Sequence, residues 1–284
     1  MPDFFWKESD HPHLKKLILE ALAEDVGKGD ITAQAIIPPT HRSCAEIIAK
    51  QKGILAGGAL LKKIFSLINP HLSVTRIVEE GSPLIPHQVI CQIKGQTRDI
   101  LKAERVALNF LSHLSGIASM THSLCQKVKK TKVKLLDTRK TIPRFRSLQK
   151  YAVRMGGGYN HRFGLFDRVL IKENHIQAAG SIREAIRRVR SRISGRPQIE
   201  IETKSWAEVA EAFQCHIDRI LLDNMPLSEI RRVVKSFGHS VELESSGNIN
   251  ESNILQVAQT GVHYISLGCL THSVKAFDFS LLIR

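Results

Sequence analysis

The sequence lacks any apolar run close to the roughly 18 residues that a membrane-spanning helix needs, and its first residues show no signal-peptide pattern. The five cysteines are widely spaced and include no CxxC pair, so neither a disulfide framework nor a zinc site is predicted. Aromatic residues make up only 6% of the chain, and no RNP-like or helix-turn-helix motif occurs. We therefore expect a cytoplasmic protein with no membrane partner and no nucleic-acid partner.

What the chain does have is positive charge. Its 41 Lys and Arg residues against 27 Asp and Glu residues give a formal net charge of +14. The length of 284 residues and an apolar content of 43% allow a large buried core, in one barrel or in two domains. Such a charge attracts anionic partners, which include nucleic acid and anionic metabolites. On charge alone, a nucleic-acid-binding barrel stays an alternative.

The first part of the chain mixes helical and strand-like patterns. Apolar residues at helical spacing predict helices over residues 13–24, 58–67 and 103–128. Short apolar segments predict strands over residues 45–50, 73–78 and 88–93. Strands that follow one another with few intervening helices indicate a small α+β unit rather than a parallel barrel.

From residue 133 onward the pattern changes, because apolar runs recur and each ends on polar residues, as in KLLD, VLIK, IEIE, RILLD, VELE and YISLG. Predicted helices over 181–193, 205–213, 226–237 and 251–259 separate most of these runs. Two of the helices begin with capping-box sequences, at Ser181 and Ser205. The fold class is therefore α/β, and this part is predicted to be an open βα barrel with fewer than eight strands.

In βα barrels the active site lies at the carboxyl ends of the strands, and phosphates often bind at the loops after the last strands. A single polar residue after a strand is usually a cap or a turn, but five consecutive polar strand ends indicate a site. Early ends carry Arg139, Lys140 and Lys172, and the middle ends carry the carboxylates of Glu202 and Asp223. The last two ends offer backbone N–H groups to a phosphate, and comprise Ser245, Ser246, Gly247, Asn248, Ser266, Leu267 and Gly268.

The stretch from residue 139 to 172 has nine Lys or Arg residues against one acid, Asp167. Within it, Leu148, Tyr151, Ala152 and Met155 form one apolar helical face. Three glycines at 156–158 then allow a positive φ or a close backbone approach. The cations are thus grouped at turns rather than spread along a regular face, which predicts a small polyanionic ligand.

The motifs DTRKT (137–141), KYAV (150–153) followed by GGG, NHR (160–162) and IKENH (171–175) resemble those of the quinolinate phosphoribosyltransferases. The similarity extends from EDVGKGDIT (24–32) to ISLGCLTHS (265–273). It implies an N-terminal α/β sandwich domain over residues 1–112, joined by the C-terminal segment 276–284, and an open barrel over residues 113–275. The implied reaction transfers phosphoribosyl from phosphoribosyl pyrophosphate to quinolinate with decarboxylation, giving nicotinate mononucleotide, pyrophosphate and CO₂ for NAD biosynthesis.

The resemblance also implies roles for single residues. Lys140, Lys172, Glu202 and Asp223 are expected to be catalytic, and Arg105 is expected to enter the site of a neighbouring subunit. A homodimer is then the minimal active unit, and a higher homo-oligomer stays open. The residues expected to bind quinolinate are Arg105, Thr138, Arg139, Lys140, His161, Arg162 and Lys172.

Phosphoribosyl pyrophosphate suits a site with this distribution of charge. Its 5′-phosphate would bind the small polar loops, and Glu202 and Asp223 would stabilise the oxocarbenium-like sugar. The expected cofactor is Mg²⁺, held by the pyrophosphate and water near these two acids rather than by direct protein ligands.

Two further alternatives remain at this stage. A transferase that acts on nicotinate without decarboxylation would need fewer cations for its acceptor, so the group around Arg139, Arg162 and Lys172 argues against it. A relative that has lost the family's activity or replaced it would keep the same motifs, and motifs alone do not exclude it.

Overall fold

The computed structural model describes residues 13–284, so the beginning of the predicted N-terminal domain lies outside the described residues. The described chain divides into two compact units. The first contains the chain up to His122, Thr141–Gly157 and Ser273–Arg284, and the second contains Ser123–Lys140 and Gly158–His272. Segments of the two units thus alternate along the sequence. The predicted domain limits, 1–112 with 276–284 and 113–275, stay predictions.

Helices and strands alternate along most of the chain. Their order is α1 (Leu14–Val26), α2 (Ile31–Ile36), β1 (Arg42–Ala49), β2 (Gly53–Ile54), α3 (Gly58–Ile68), β3 (Ser73–Thr75), β4 (Pro83–Leu84), β5 (Val89–Gln96), α4 (Thr97–Val128), β6 (Lys134–Leu136), α5 (Arg146–Met155), β7 (Val169–Ile171), α6 (Glu173–Ala179), α7 (Ile182–Arg192), β8 (Ile199–Thr203), α8 (Trp206–Gln214), β9 (Arg219–Asp223), α9 (Leu227–Phe237), β10 (Glu242–Ser246), α10 (Ile254–Ala258), β11 (Tyr264–Ser266), α11 (Cys269–His272) and β12 (Phe279–Ile283). Between residues 13 and 284, no helix combines the length and the apolar character needed to cross a bilayer.

In the first unit, four strands form an antiparallel sheet in the order β12-β1-β5-β3. The central strand β1 buries Ala45 and Ile47 completely, which explains its place in the middle of the sheet. Opposite β1, Cys91 of β5 pairs with Ile47, and Ile283 of β12 pairs with Ala45. The last strand of the chain therefore extends a sheet whose other strands lie within the first hundred residues.

The second unit contains a parallel sheet with the strand order β6-β11-β10-β9-β8-β7. Each neighbouring pair in this sheet is parallel, and β6 and β7 are its two edges. The prediction of an open sheet with fewer than eight strands is confirmed for the described part of the chain. Because all these strands run in one direction, their carboxyl ends lie along the same edge, where the predicted site residues are concentrated.

Both predicted capping boxes begin helices in the second unit. The Ser181 hydroxyl accepts the Glu184 N–H at 3.1 Å at the start of α7. The Ser205 hydroxyl accepts the Glu208 N–H at 3.3 Å at the start of α8. Each serine satisfies one of the N–H groups that the first turn of a helix leaves without a partner, so the predicted helix starts are confirmed. The two glutamates bond elsewhere, Glu184 to Arg187 and Glu208 to the Lys204 N–H.

Several predicted element limits differ from the structure, among them the start of β1 at Arg42 and the end of β5 at Gln96, and three differences have a local cause. Helix α4 begins at Thr97 rather than residue 103, with Asp99 in its first turn, where an acid is favourable. Strand β3 ends at Thr75 rather than residue 78, because Arg76 has a φ of 55°, which a strand does not accommodate. Helix α10 covers only Ile254–Ala258, because side chains in the segment 250–253 bond to the local backbone and form a turn instead.

The first glycine of the triplet after α5 packs closely within the first unit. Of the first two glycines, Gly157 has a positive φ of 89°, whereas Gly156 has a φ of −76°, which any residue can adopt. A Cβ atom on Gly156 would lie 2.4 Å from the Ala118 carbonyl oxygen of α4 and 2.6 Å from the Thr121 Cβ. The predicted apolar face of α5 is confirmed at Leu148, Tyr151 and Ala152, which are buried.

Candidate active site

An open cavity of about 770 Å³ lies at the carboxyl ends of the parallel strands. This volume is in the range of small-molecule sites. Residues of the second unit line it, and they divide by charge. Its basic residues are Arg139, Lys140, His161, Arg162, Lys172 and His272, its acids are Glu202, Asp223 and Glu244, and its small or polar loop residues are Thr138, Asn224, Ser246, Gly247, Asn248, Asn250, Ser266 and Gly268.

Lys140 lies just beyond the end of β6, and its backbone is held on both sides. Its N–H donates to the Thr138 hydroxyl at 3.0 Å, and its carbonyl oxygen accepts the Thr271 hydroxyl at 2.7 Å. The residue is exposed at the cavity wall. Two hydrogen bonds at the backbone therefore direct a long cationic side chain toward the space where a ligand would bind.

The segment 159–162 runs beside the end of β6, at one open edge of the sheet. The Tyr159 N–H donates to the Leu135 carbonyl at 2.8 Å, and the Asp137 N–H donates to the Tyr159 carbonyl at 3.1 Å. The buried Asp137 carboxylate accepts the His161 N–H at 2.9 Å. Asp137, a polar strand end in the sequence, thus anchors the segment that brings the NHR motif to the cavity.

Both ring nitrogens of His161 have protein partners. Nδ1 accepts the Arg162 N–H at 2.8 Å, and Nε2 lies 3.3 Å from Glu200 Oε2 and 3.5 Å from Glu244 Oε1. Burial lowers the pKa of His161, but the two carboxylates outweigh burial and raise the pKa to about 9. Because Nδ1 accepts the Arg162 N–H, it keeps its lone pair, and the ring proton that the carboxylates favour lies on Nε2, which faces both of them. Burial, followed by the charge of Glu244, raises the pKa of Glu200.

Arg162 lies at the cavity wall and is only 5% exposed. One of its guanidinium nitrogens, Nη1, donates to the Arg168 carbonyl at 3.2 Å, just before β7. Burial and then the charge of Arg139 lower the pKa of Arg162. Two arginines that repel each other beside a cavity provide a strong site for a ligand with more than one negative charge.

Lys172 and Glu202 form an ion pair at the cavity, with Lys172 Nζ 2.9 Å from Glu202 Oε2. Lys172 follows β7, and its N–H donates to His175 Nδ1 at 2.9 Å. The Lys172 side chain is about half exposed, whereas that of Glu202 is 12% exposed. Since an exposed pair of this kind contributes about 0–1 kcal/mol, an anionic ligand can replace Glu202 as the partner of Lys172.

The loop after β10 presents backbone rather than side-chain groups. Gly247 and Asn248 have φ values of 94° and 52°, and Asn224 after β9 has a φ of 54°. The Asn248 amide donates to Asn224 Oδ1 at 2.9 Å, and the Asn224 N–H donates to the Ser246 carbonyl at 2.9 Å. Consecutive residues in the left-handed region direct neighbouring N–H groups toward one point, an arrangement that binds anions.

The space around Gly268, after the end of β11, is also narrow. A Cβ atom on Gly268 would lie 2.9 Å from His272 Nε2 and 3.0 Å from Lys140 Cδ. The absence of a side chain at residue 268 therefore lets Lys140 and His272 lie over the backbone of this loop.

Comparison with known proteins agrees with this geometry. The family models for the N-terminal and C-terminal domains of quinolinate phosphoribosyl transferase match residues 30–115 and 117–282. The chain belongs to the quinolinate phosphoribosyltransferase family. The expectation from the motifs is therefore confirmed at the level of the family.

Relatives of this family resemble the chain over almost its whole length. It is 42% identical to the "Probable nicotinate-nucleotide pyrophosphorylase [carboxylating]" of Bacillus subtilis (strain 168), covering 96% of this chain and 94% of the relative. It is 40% identical to "Quinolinate phosphoribosyltransferase [decarboxylating] 2a, mitochondrial" of Nicotiana tabacum, with coverage of 98% and 84%. The solved structure of the nicotinate-nucleotide pyrophosphorylase from Francisella tularensis superposes with a TM-score of 0.93 at 39% identity, covering 96% of this chain and 97% of that structure.

Most of the site residues predicted from the family motifs come together at the cavity. Ser245 and Leu267 are exceptions, since they are 2% and 1% exposed and do not line the cavity. They lie next to residues that do, so their predicted contact with the phosphoribosyl donor stays a prediction. Arg105 belongs to the first unit, where its half-exposed side chain lies 3.9 Å from Glu104. Its predicted role in a neighbouring subunit also stays a prediction.

Motif reasoning missed several residues of this family's cavity. Asn224 directly follows the predicted Asp223, and His272 lies in the matched CLTHS motif, so both carried a usable signal. The signal in the sequence was weaker for Glu244, because the run VELE is typical of an ordinary strand with a solvated edge. Alternation in β10 places Glu244 on the same side as Ser246, so the structure turns it toward the cavity instead.

Proposed function

We propose that this protein transfers phosphoribosyl from phosphoribosyl pyrophosphate to quinolinate, with loss of CO₂, and so makes nicotinate mononucleotide for NAD biosynthesis. One observation carries the proposal. Arg139, Lys140, Arg162 and Lys172 share a single cavity with Glu202, Asp223 and the loops after β10 and β11. This combination provides a site for a dicarboxylate, a site for a phosphate, and acids for a cationic sugar between them.

The acceptor site is formed by the cations of the early strand ends. Quinolinate has two adjacent carboxylates on a pyridine ring, and Arg139 and Arg162 supply planar groups that bind carboxylates through paired hydrogen bonds. Nicotinate has one carboxylate, so it would leave part of this positive charge unpaired. Lys172 leaves Glu202 to bind the acceptor, which couples acceptor binding to the release of an acid for the sugar.

The donor site is formed by the later loops. We place the 5′-phosphate at the backbone of Gly247, Asn248 and Gly268, where N–H groups are accessible and no side chain intervenes. Lys140 lies beside Gly268 and is the cation nearest to this loop in the geometry described above. The sugar then lies between the phosphate loops and the acceptor.

The chemistry begins when the ring nitrogen of quinolinate attacks C1 of the ribose and the bond from C1 to pyrophosphate breaks. Positive charge develops on the sugar, and the carboxylates of Glu202 and Asp223 stabilise it directly or through the ribose hydroxyls. The pyridinium product then loses the carboxylate next to the nitrogen as CO₂. The electron pair stays on C2 beside N⁺, and C2 takes up a proton.

Magnesium is the proposed cofactor. Glu202 and Asp223 at neighbouring strand ends offer the oxygen atoms that Mg²⁺ and its water ligands prefer, so these residues fit the ion. The ion would neutralise the leaving pyrophosphate, while the two carboxylates accept hydrogen bonds from its water.

The direct test incubates the purified protein with phosphoribosyl pyrophosphate, Mg²⁺ and quinolinate, with nicotinate in a parallel reaction. We expect nicotinate mononucleotide and an equal amount of CO₂ from quinolinate alone, and no product when EDTA removes Mg²⁺. Product from nicotinate without CO₂ would identify the other transferase class. A folded protein with no product from either acceptor would indicate a relative that has lost this reaction.

We also propose that the enzyme is a cytoplasmic homodimer in which Arg105 completes the partner's site. Arg105→Ala and Lys172→Ala should each be nearly inactive alone, but their mixture should recover activity after subunit exchange. Half of the dimers are then hybrids with one intact site of two, so recovery should approach about one quarter of the native activity.

A matched control separates this rescue from simple mixing. Arg105→Ala mixed with the double variant Arg105→Ala/Lys172→Ala contains no intact site in any dimer, so its activity should stay at the background. Light scattering gives the mass of each preparation, and labelled subunits confirm the exchange. No recovery in the first mixture despite complete exchange would show that the site is not shared.

A further inference from the structure

A buried group that the proposed reaction does not use extends inward from the cavity wall. Glu200 of β8 and Glu244 of β10 are 2% and 0% exposed, and each places a carboxylate oxygen near Nε2 of His161, which lines the cavity together with Glu244. Each acid precedes a cavity residue by two positions, Glu202 and Ser246, so both point to the same side of the sheet, one layer deeper. Two buried carboxylates are costly unless partners compensate for the lost water.

The two acids differ in their partners. Arg219 of β9, the strand between them, places Nη1 3.1 Å from Glu244 Oε2. Burial raises the pKa of Glu244, but His161 and Arg219 outweigh it and leave the pKa lowered. Within residues 13–284, neither oxygen of Glu200 has a well-directed hydrogen bond, whereas Glu244 has one at Oε2, from Arg219, and none at Oε1. The structure thus pairs an ionised Glu244 with Arg219 and leaves Glu200 as the neutral member.

The His161 ring connects these acids to the acceptor site. Its Nδ1 accepts the N–H of Arg162, and its own N–H is held by Asp137. The side chain and the backbone of His161 therefore fix the position of the Arg162 backbone. From that position the Arg162 guanidinium reaches the cavity. A rotation of the ring would remove the hydrogen bond at Nδ1 and free the Arg162 backbone.

We propose that Glu244 is a positioning residue for the acceptor: it orients the His161 ring, which fixes the backbone of Arg162 and thereby the guanidinium that binds a carboxylate. Glu200 contacts the same ring nitrogen, with its Oε2 3.3 Å from Nε2, but as the neutral acid it holds the ring less strongly than the ionised Glu244. His161 itself then acts through Arg162 rather than by donating a proton to the ligand. The inference rests on the proposed function only for the identity of the acceptor.

The same three side chains could also hold a metal ion, since their ligand atoms lie within 4.8 Å of one another. One imidazole and two carboxylates are ligands that zinc or iron accepts. The cation of Arg219 argues against this use, because it lies 3.1 Å from Glu244 and already compensates that charge. We therefore favour a group held by hydrogen bonds and charge, and the metal becomes an outcome of the test.

The test compares Glu244→Gln with Glu200→Gln in the native-length protein. Glu244→Gln should raise the KM for quinolinate about 10-fold or more and leave the KM for phosphoribosyl pyrophosphate within about 3-fold. Glu200→Gln replaces a neutral acid by a neutral amide of the same shape, so its quinolinate KM should change by less than about 3-fold. Thr260→Val is the control, because it removes a buried hydroxyl in the same unit that bonds to the Val257 carbonyl and does not line the cavity.

A readout that does not depend on turnover accompanies the kinetics. Nitrogen NMR of the His161 ring should show a lone pair on Nδ1 in the native protein, and Glu244→Gln should shift both this signal and the Arg162 amide. Equal increases in both KM values, or an unchanged quinolinate KM in folded Glu244→Gln, would overturn the proposal. So would one equivalent of a transition metal in the native protein that Glu244→Gln loses.

The two proposals fail separately. If the native protein makes no product, the proposed function falls, while the NMR comparison still decides whether Glu244 positions Arg162. Unchanged His161 and Arg162 signals in Glu244→Gln overturn the positioning role in that case also, and shifted signals support it.

Discussion

Lys140→Ala is expected to lower kcat by about 10²–10³-fold, a loss typical of removing one preorganised group that stabilises developing charge. Hydrogen bonds from Thr138 and Thr271 hold the Lys140 backbone, and the side chain passes over Gly268 toward the cavity. The cation therefore lies at the cavity wall, where the proposed function brings the phosphates of the donor and the carboxylates of the acceptor together. Steady-state kinetics with both substrates varied measures the loss.

Two further variants test whether the loss of kcat is specific to the cation at residue 140. Lys235→Ala removes an exposed lysine from α9, outside the cavity, and should leave kcat unchanged. Lys140→Arg keeps the charge but replaces a compact ammonium by a planar fork, so it should recover only part of the activity. Because Lys140 is exposed, the thermal unfolding midpoint of Lys140→Ala should match that of the native protein. Full turnover by Lys140→Ala would remove Lys140 from the catalytic group.

Gly247→Ala should raise the KM for phosphoribosyl pyrophosphate by about 10–100-fold, equivalent to about 1.4–2.7 kcal/mol of binding. Two effects act together at this residue. Its φ of 94° lies in the region that favours glycine, and a Cβ atom would lie 2.3 Å from Asn224 Oδ1. The Asn224 side chain must move to relieve this contact and would then lose its hydrogen bond from Asn248, and the strained φ would shift the loop backbone that we propose binds the phosphate.

Gly195→Ala is the matched control for backbone strain. Gly195 has a φ of 84°, close to that of Gly247, but nothing lies within 4 Å of the position of its Cβ and it does not line the cavity. The control should lose some stability through strain and keep its substrate KM values. If both glycine variants change the donor KM equally, or neither does, the loop after β10 is not the phosphate site. The quinolinate KM of Gly247→Ala should change much less than the donor KM.

Features that depend on neighbouring residues could be predicted from the sequence. The serine caps at 181 and 205 form as expected, because a cap involves residues three positions apart. The parallel sheet followed from apolar runs separated by helical segments, and it placed Lys140, Lys172, Glu202 and Asp223 together, because parallel strands end at one edge. Some predicted limits of helices and strands were wrong because of the local backbone conformation, such as the positive φ of Arg76 after β3.

The sequence by itself determined the family, the class of fold and most of the polar residues at the cavity. Only the tertiary structure decided which of these residues line the cavity and which contact other side chains behind it. Glu244 and Glu200 meet at His161 because of the strand order β10-β9-β8 and because residues 159–162 run beside β6. These contacts join residues far apart in the chain, and a strand's sequence alone does not reveal which of its two faces is buried. That is why the sequence did not show that His161, which lines the cavity and whose predicted ligand binding stays a prediction, also contacts two buried acids.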